Sequence, residues 1–284
     1  MTSTKTWRDF LQTYRETTKF APSEWIKNKC KRFNEYLIEH NLSGAVVSVS
    51  GGIDSAVTLA LLHYTMRLPD SQLKKITALN QPIHSSAWAL DRSIELCKKF
   101  DIELTVIDQT DIHTMITERF PIDGTTFSKG QLRSYMRTPT NYYAAQLLSQ
   151  QGYPAIVVGT GNKDEDGYLA YFCKYGDGAV DIQLISDLHK SQVFSVGQEL
   201  GVPDSILQAK PSADLWEGHT DEDELGVSYD FVEFYTGYYL NLPYEEQVRL
   251  RESLSSMEEF TTCKKICENI HKRNAHKFGG VVNI

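Results

Sequence analysis

The sequence predicts an α/β protein: a doubly wound, Rossmann-like parallel sheet flanked by helices, with a helical C-terminal part. Three observations predict it. Strand-length apolar runs alternate with helical patterns up to residue 158, as parallel strands joined by crossovers require. A glycine turn joins the first of these strands directly to a helix-forming run. From residue 190 onward the pattern is helical.

The elements follow in order. Residues 44–50, Gly-Ala-Val-Val-Ser-Val-Ser, carry the β-branched side chains of a strand. Residues 50–55, Ser-Gly-Gly-Ile-Asp-Ser, make a sharp turn, and residues 56–64 are good helix formers. A second strand is expected over 75–79, a helix over 86–100 and a third strand over 103–107. Residues 129–151 carry a long helical pattern, with an interruption expected near Pro139. Residues 155–158 form a short apolar strand between Pro154 and Gly159. Helices are then expected over 190–200, 204–208, 222–239 and, with breaks, 244–272. No internal repeat, low-complexity stretch or Gly/Ser linker divides the chain. The expected organisation is an N-terminal segment over 1–24 and a single domain over 25–284. Ligands of such sheets sit beyond the carboxyl ends of the strands, so the loops carrying Ser50 and Thr160 are expected to meet over one pocket.

Composition narrows the function. The 284 residues suffice for one large α/β domain, and an apolar fraction of 41% is ordinary for a globular protein. A formal net charge of −8 argues against a dedicated nucleic-acid binder. No apolar run has the length of a membrane span, and no secretory signal is expected. Five cysteines without a disulfide-framework spacing fit a reducing cytoplasm. Cys263, Cys267 and His271 recur every four residues; a half-buried helix face is the expected reading rather than a metal site, whose ligand pairs are usually separated by a longer loop.

The turn at 50–55 carries chemistry. A strand, a glycine turn and a helix N-terminus point unpaired N–H groups and the positive end of a helix dipole at one place, which suits an anion. Ser50 and Ser55 add hydroxyl donors. Asp54 would repel phosphate unless a cation lay between them, and so suggests Mg²⁺. The pattern lacks both the Gly-x-x-x-x-Gly-Lys-Ser/Thr loop and the Gly-x-Gly-x-x-Gly fingerprint. It resembles the Ser-Gly-Gly-x-Asp-Ser loop of the ATP pyrophosphatase superfamily, whose members bind the pyrophosphate of ATP and adenylate a substrate oxygen. The alternative is a tight strand-to-helix turn that needs glycine and nothing more.

A second constellation makes the resemblance narrower. Residues 159–166 read Gly-Thr-Gly-Asn-Lys-Asp-Glu-Asp, and 174–181 read Lys-Tyr-Gly-Asp-Gly-Ala-Val-Asp. Lys-Pro-Ser-Ala-Asp-Leu at 210–215 and Thr-Asp-Glu-Asp-Glu-Leu-Gly at 220–226 follow. Together with the first loop, over roughly residues 25–277, these are similar in kind and order to the motifs of NAD synthetases, which amidate deamido-NAD using ATP.

The resemblance implies roles position by position. Ser48, Ser50, Gly51, Gly52, Asp54 and Ser55 match the contacts to ATP phosphates, and Thr160, Lys190 and Ser212 match further ATP contacts. Asp54 and Glu165 match magnesium ligands. Lys174, Asp181, His276 and Lys277 match contacts to deamido-NAD. Asp54, Asp177 and Lys190 are the implied catalytic residues, Asp177 through the amide-forming centre. Each has a structural alternative: Ser212 caps a turn, Asp181 caps a strand, His276 is a surface histidine. Many family members carry Arg-x-Arg-Met on the long middle helix; here Tyr135 stands at an arginine of that run, and Arg137 or Arg133 is left to make its contact.

The resemblance also implies mechanism and partners. The pyridine carboxylate of deamido-NAD attacks the α-phosphorus of ATP, and ammonia displaces AMP from the acyl adenylate. A fused glutaminase would need a further domain, so the nitrogen is expected as free ammonia or from a separate glutaminase subunit. Family members are homodimers. The competing expectations are another adenylating ATP pyrophosphatase and a non-catalytic adenine-nucleotide-binding module.

Overall fold

A computed structural model describes residues 5–210 and 220–281. The chain begins with two helices, α1 (Trp7–Thr18) and α2 (Pro22–Glu39). Strand β1 (Gly44–Ser48) then leads through the glycine turn into α3 (Ile53–Met66). There follow β2 (Lys75–Asn80), α4 (Ala87–Lys99), β3 (Leu104–Val106), α5 (Thr110–Glu118) and α6 (Thr126–Gln150). Strand β4 (Ala155–Gly159) precedes one wide helical turn, Lys163–Tyr168, and the two-residue strand β5 (Ile182–Gln183). The rest is helical: α7 (Lys190–Leu200), α8 (Asp204–Leu207), α9 (Asp221–Leu225), α10 (Tyr229–Glu233), α11 (Tyr244–Leu254) and α12 (Glu258–Asn274).

The strands form one parallel sheet in the order β3-β2-β1-β4-β5. The chain winds outward from β1 in both directions, so the crevice lies beyond the carboxyl ends of β1 and β4. Alternation along β1 divides the faces. Ala45 and Val47 turn toward α2, α3 and α7, where Phe33, Leu37, Leu59 and Val193 complete the main core. Val46 turns to the other face and packs with Ala145 and Leu148 of α6. A separate core joins Trp7 and Leu11 of α1 to Phe231, Phe234, Tyr235 and Phe260 of the C-terminal helices.

Three sequence expectations need correction or addition. Pro139 does not interrupt α6. The Thr138 hydroxyl donates to the carbonyls of Tyr175 (3.0 Å) and Gly176 (2.9 Å), and α6 is pressed on the sheet by Ala145 and Leu148, so tertiary contacts override the proline's local preference. The helix expected over 222–239 is broken: Gly226, at φ +70°, ends α9, and the Ser228 hydroxyl accepts from the Phe231 N–H to start α10. The N-terminal segment contains α1, begun by a reciprocal Thr6–Asp9 capping box, and the turn of α2 entered at Pro22. Cys263, Cys267 and His271 do form a helix face: Cys267 is buried, and His271 stacks on Tyr168 and bonds its carbonyl at 2.7 Å.

Leu59 lies fully buried in α3 at the centre of the main core. Leu59→Ala should lower unfolding free energy by about 2–5 kcal/mol, read as a lower urea midpoint at unchanged slope.

Candidate active site

The glycine turn sets the site. Gly51 has φ +83°, and a Cβ there would lie 2.5 Å from the Ala89 carbonyl oxygen, so no side chain fits. Gly52 stands at the N-terminus of α3 without a capping side chain, which leaves the first-turn N–H groups for a ligand. Ser55 lies back across the turn, its hydroxyl accepting from the Ser50 N–H at 3.2 Å and donating to the Gly52 carbonyl at 3.0 Å.

Asp54, in the first turn of α3, meets Lys190, the first residue of α7. The Lys190 ammonium donates to Asp54 Oδ2 and Glu165 Oε1, each at 2.7 Å. Lys190 is 4% exposed, and Asp54 and Glu165 are 18% and 17% exposed. The surrounding chain holds each member. Asn162 donates from Nδ2 to Asp54 at 3.0 Å, while its Oδ1 accepts from the N–H groups of Asp164 and Glu165. Asp164, fully buried, accepts the Lys190 backbone N–H through Oδ2 and pairs with His189 Nδ1 through Oδ1, both at 2.7 Å. The Tyr229 hydroxyl donates to Glu165, and its ring lies 4.7 Å from the Lys190 ammonium.

Charge balance sets the protonation. Burial alone would lower the Lys190 pKa, but Asp54 and Glu165 hold it above its ordinary value. Burial works upward on Glu165, and the Lys190 charge and hydrogen bonds outweigh it, leaving Glu165 below the usual range. Asp54 is raised, by burial first and by the Glu165 charge as well. Losing one partner of such a buried set costs on the order of 3–5 kcal/mol, whereas the intact set adds little over apolar packing. Stability alone does not account for its presence.

These groups open on a cavity of about 960 Å³ at the carboxyl ends of the strands. Ser48, Ser50, Gly52, Asp54, Ser55, Arg137, Thr160, Glu165, Asp177, Lys190 and Lys277 all line it. The loops after β1 and β4 therefore meet over one pocket. Gly51 is not among the lining residues. Asp177 lines the cavity and is exposed there; its carboxylate accepts from the Ser134 hydroxyl (2.7 Å) and the Cys173 N–H (3.0 Å). Loss of solvation raises its pKa. Lys277 donates to the carbonyls of Ala170 and Phe172, at 3.0 and 2.7 Å, and Arg137 to the Gln81 carbonyl at 3.3 Å.

Other expected residues lie off the cavity wall. Asp181 accepts from the Val157 N–H at 2.7 Å and from the Tyr142 hydroxyl at 3.2 Å, binding the chain to β4. Lys174 donates to the Gly280 carbonyl, and His276 is exposed beside the Arg273 carbonyl. Ser212 lies outside the described residues. Tyr135, 43% exposed, is not among the residues that line the cavity.

Sequence reasoning missed Asn162, Asp164, Ser134 and Tyr229. Asn162 and Asp164 stand inside the quoted Gly-Thr-Gly-Asn-Lys-Asp-Glu-Asp run, where an Asn three residues before Glu165 is itself a capping signal. Ser134 is one residue from the position searched for arginine. Nothing local marks Tyr229, which reaches Glu165 only through the fold.

The donor set suits magnesium. Two carboxylates already share one cation, and among the described residues no group of three or more His, Cys, Asp or Glu side chains is placed to hold a metal alone. Magnesium is commonly held by one or two carboxylates and completed by substrate phosphates.

Comparison with known proteins finds similar chains. The NH(3)-dependent NAD(+) synthetase of Methanococcoides burtonii is 35% identical over 235 residues, covering 82% of this chain and 85% of the relative. The solved NMN synthetase from Francisella tularensis is 30% identical with a TM-score of 0.75, covering 93% of this chain and 99% of that one. The NH3-dependent NAD synthetase from Campylobacter jejuni has the same fold at a TM-score of 0.70 and 20% identity, with coverage of 93% and 99%. The sequence profile of NAD synthase matches residues 25–276, and the chain belongs to the NAD synthase family.

Proposed function

We propose that this chain is a carbon–nitrogen ligase that amidates deamido-NAD to NAD with ammonia, converting ATP to AMP and pyrophosphate. The observation that carries the reading is the meeting of Asp54, Glu165 and Lys190 beneath an uncapped helix N-terminus, in a chain of the NAD synthase family. A carboxylate is a poor acyl donor because oxide would have to leave. Attack of the pyridine carboxylate on the α-phosphorus of ATP expels pyrophosphate and makes AMP the later leaving group. Ammonia then adds to the acyl carbon and AMP departs.

The chain supplies alignment and charge. The N–H groups of the glycine turn, with the Ser50 and Ser55 hydroxyls, receive phosphate oxygens. Lys190 turns from the carboxylates to the pyrophosphate as charge develops there. Asp54 and Glu165 would hold Mg²⁺, which supplies neutralisation of the triphosphate when bound. Asp177, with its proton affinity raised, favours ammonium at the acyl end and takes a proton as ammonia is released to attack. Thr160 and Arg137 on the wall hold the two substrates, and Lys277 closes the side beneath Phe172.

Support for the remaining expectations is of different kinds. The five cysteines are free, which fits a cytoplasmic home. Among the described residues no helix is long and apolar enough to cross a membrane. A homodimer is supported by apolar side chains exposed along α5, α6 and their connection: Met115, Phe120 (68%), Ile122 (79%) and Phe127.

One finding favours a second reading of the substrate. The Francisella protein is an NMN synthetase, and Tyr135 here is not among the residues lining the pocket. On that reading nicotinate mononucleotide replaces deamido-NAD, with the same adenylation and amidation.

Purified protein with ATP, Mg²⁺ and ammonium should convert deamido-NAD to equal amounts of NAD, AMP and pyrophosphate, and chelation of the metal should stop it. Higher kcat/KM with nicotinate mononucleotide would establish the second reading, and turnover of neither substrate would defeat both. Asp54→Asn should reduce kcat by about 10²–10³, the range for loss of a group that stabilises transition-state charge. Asp177→Asn should raise the ammonium KM; an unchanged rate and ammonium dependence would remove Asp177 from the amide-forming step. Ile122→Asp should convert a dimer to a monomer in light scattering, and a wild-type monomer would rule out the pairing.

A further inference from the structure

The segment that carries Lys190 is gripped from behind by a helix that precedes the family-matched residues. Arg15 of α1 forks onto Glu233, its Nε lying 3.0 Å from Oε1 and a terminal nitrogen bonding Oε2, and it also meets Asp230 at 2.6 Å. Glu233 is 2% exposed. The same Oε2 accepts the Ser191 hydroxyl at 2.8 Å. Ser191 directly follows Lys190.

On the other side of Lys190, His189 is buried and bonded to Asp164. Its imidazole meets the Tyr14 ring edge-on, with centroids 6.3 Å apart. Gly237 allows this approach: a Cβ there would lie 2.7 Å from His189 Nε2 and 3.0 Å from the Tyr14 hydroxyl oxygen. Tyr14 thus meets one neighbour of Lys190, and Arg15, the next residue of α1, reaches the other through Glu233. The helix is fixed in turn by Trp7, buried against Phe231 and Phe234 at 5.2 and 5.8 Å between centroids.

We propose that α1 is a positioning element for Lys190, with Arg15 the positioning residue, acting through Glu233 and Ser191 without touching substrate. The physical reason is the buried Glu233 carboxylate. Paired with the rigid arginine fork, it keeps a fixed acceptor for the Ser191 hydroxyl and so fixes the first turn of α7. Without the fork, a desolvated carboxylate one residue from Lys190 is left to seek another cation, and the first turn loses its anchor.

The inference rests on the reading of Lys190 as a phosphate ligand, and a double-mutant cycle separates the two. The affinity of the full chain for α,β-methylene ATP with Mg²⁺ is measured by calorimetry in wild type, Arg15→Ala, Lys190→Ala and the double variant. Arg15→Ala should weaken binding about five- to tenfold in wild type and by less than twofold once Lys190 is gone, since coupled residues are non-additive. Ser191→Ala, which removes the link and leaves the Arg15–Glu233 pair in place, should weaken binding in the same Lys190-dependent way, and it serves if Arg15→Ala fails to fold. Equal losses in both backgrounds, or no loss in wild type, overturn the positioning role. Full affinity in Lys190→Ala alone overturns the phosphate role of Lys190 and the positioning role with it.

Discussion

The structure depends on one buried cation shared by two acids that the chain brings from separate crossovers. Asp54 comes from the turn after β1, Glu165 from the turn after β4, and Lys190 from the helix beyond β5. Adjacent strands put the two turns side by side, and the ammonium at 2.7 Å from each acid holds them there. Two carboxylates so close repel each other unless a positive charge lies between them. The same requirement admits a divalent ion with phosphate oxygens. The lysine therefore bridges the two acids, in an arrangement that a metal–triphosphate complex also satisfies.

The shell around this set accounts for much of the remaining chain. Asn162 and Asp164 use side-chain oxygens to fix the backbone of the acidic turn and of α7 together. Tyr229 reaches Glu165 from α10, and α10 is packed on α1 through Trp7. The second core, remote from the sheet, thereby connects to the site through residues that bind nothing themselves. The wall at Asp177, Ser134 and Cys173 belongs to α6 and the loop before β5, so the two ends of the pocket rest on different supports.

Much of this was legible in the sequence. The β-branched run at 44–48 and the turn after it have local causes, and so have the alternating strands and helices that follow. Ordered motifs carried Asp54, Glu165 and Lys190 to one site because their spacing is tied to the strand–turn–helix units. Illegible features depended on distant partners. Pro139 continues within α6 because Thr138 bonds a loop 37 and 38 residues away, and Tyr229 reaches Glu165 across the fold. Other misses were present but unread: the Thr6–Asp9 box that begins α1, and Gly226 with Ser228, which divides one expected helix into two. Asp181 had two readings in the sequence, and its bonds to Val157 and Tyr142 give the strand-side one its physical content.

The most direct measurement is a crystal structure of the chain with Mg²⁺ and α,β-methylene ATP. The account predicts a single magnesium ligated by Asp54, Glu165 and phosphate oxygens, with the Lys190 ammonium moved onto the triphosphate and the glycine-turn N–H groups beside it. Nucleotide bound with its phosphates away from this turn, or Asp54 and Glu165 still closed on Lys190 while the metal sits elsewhere, would contradict it.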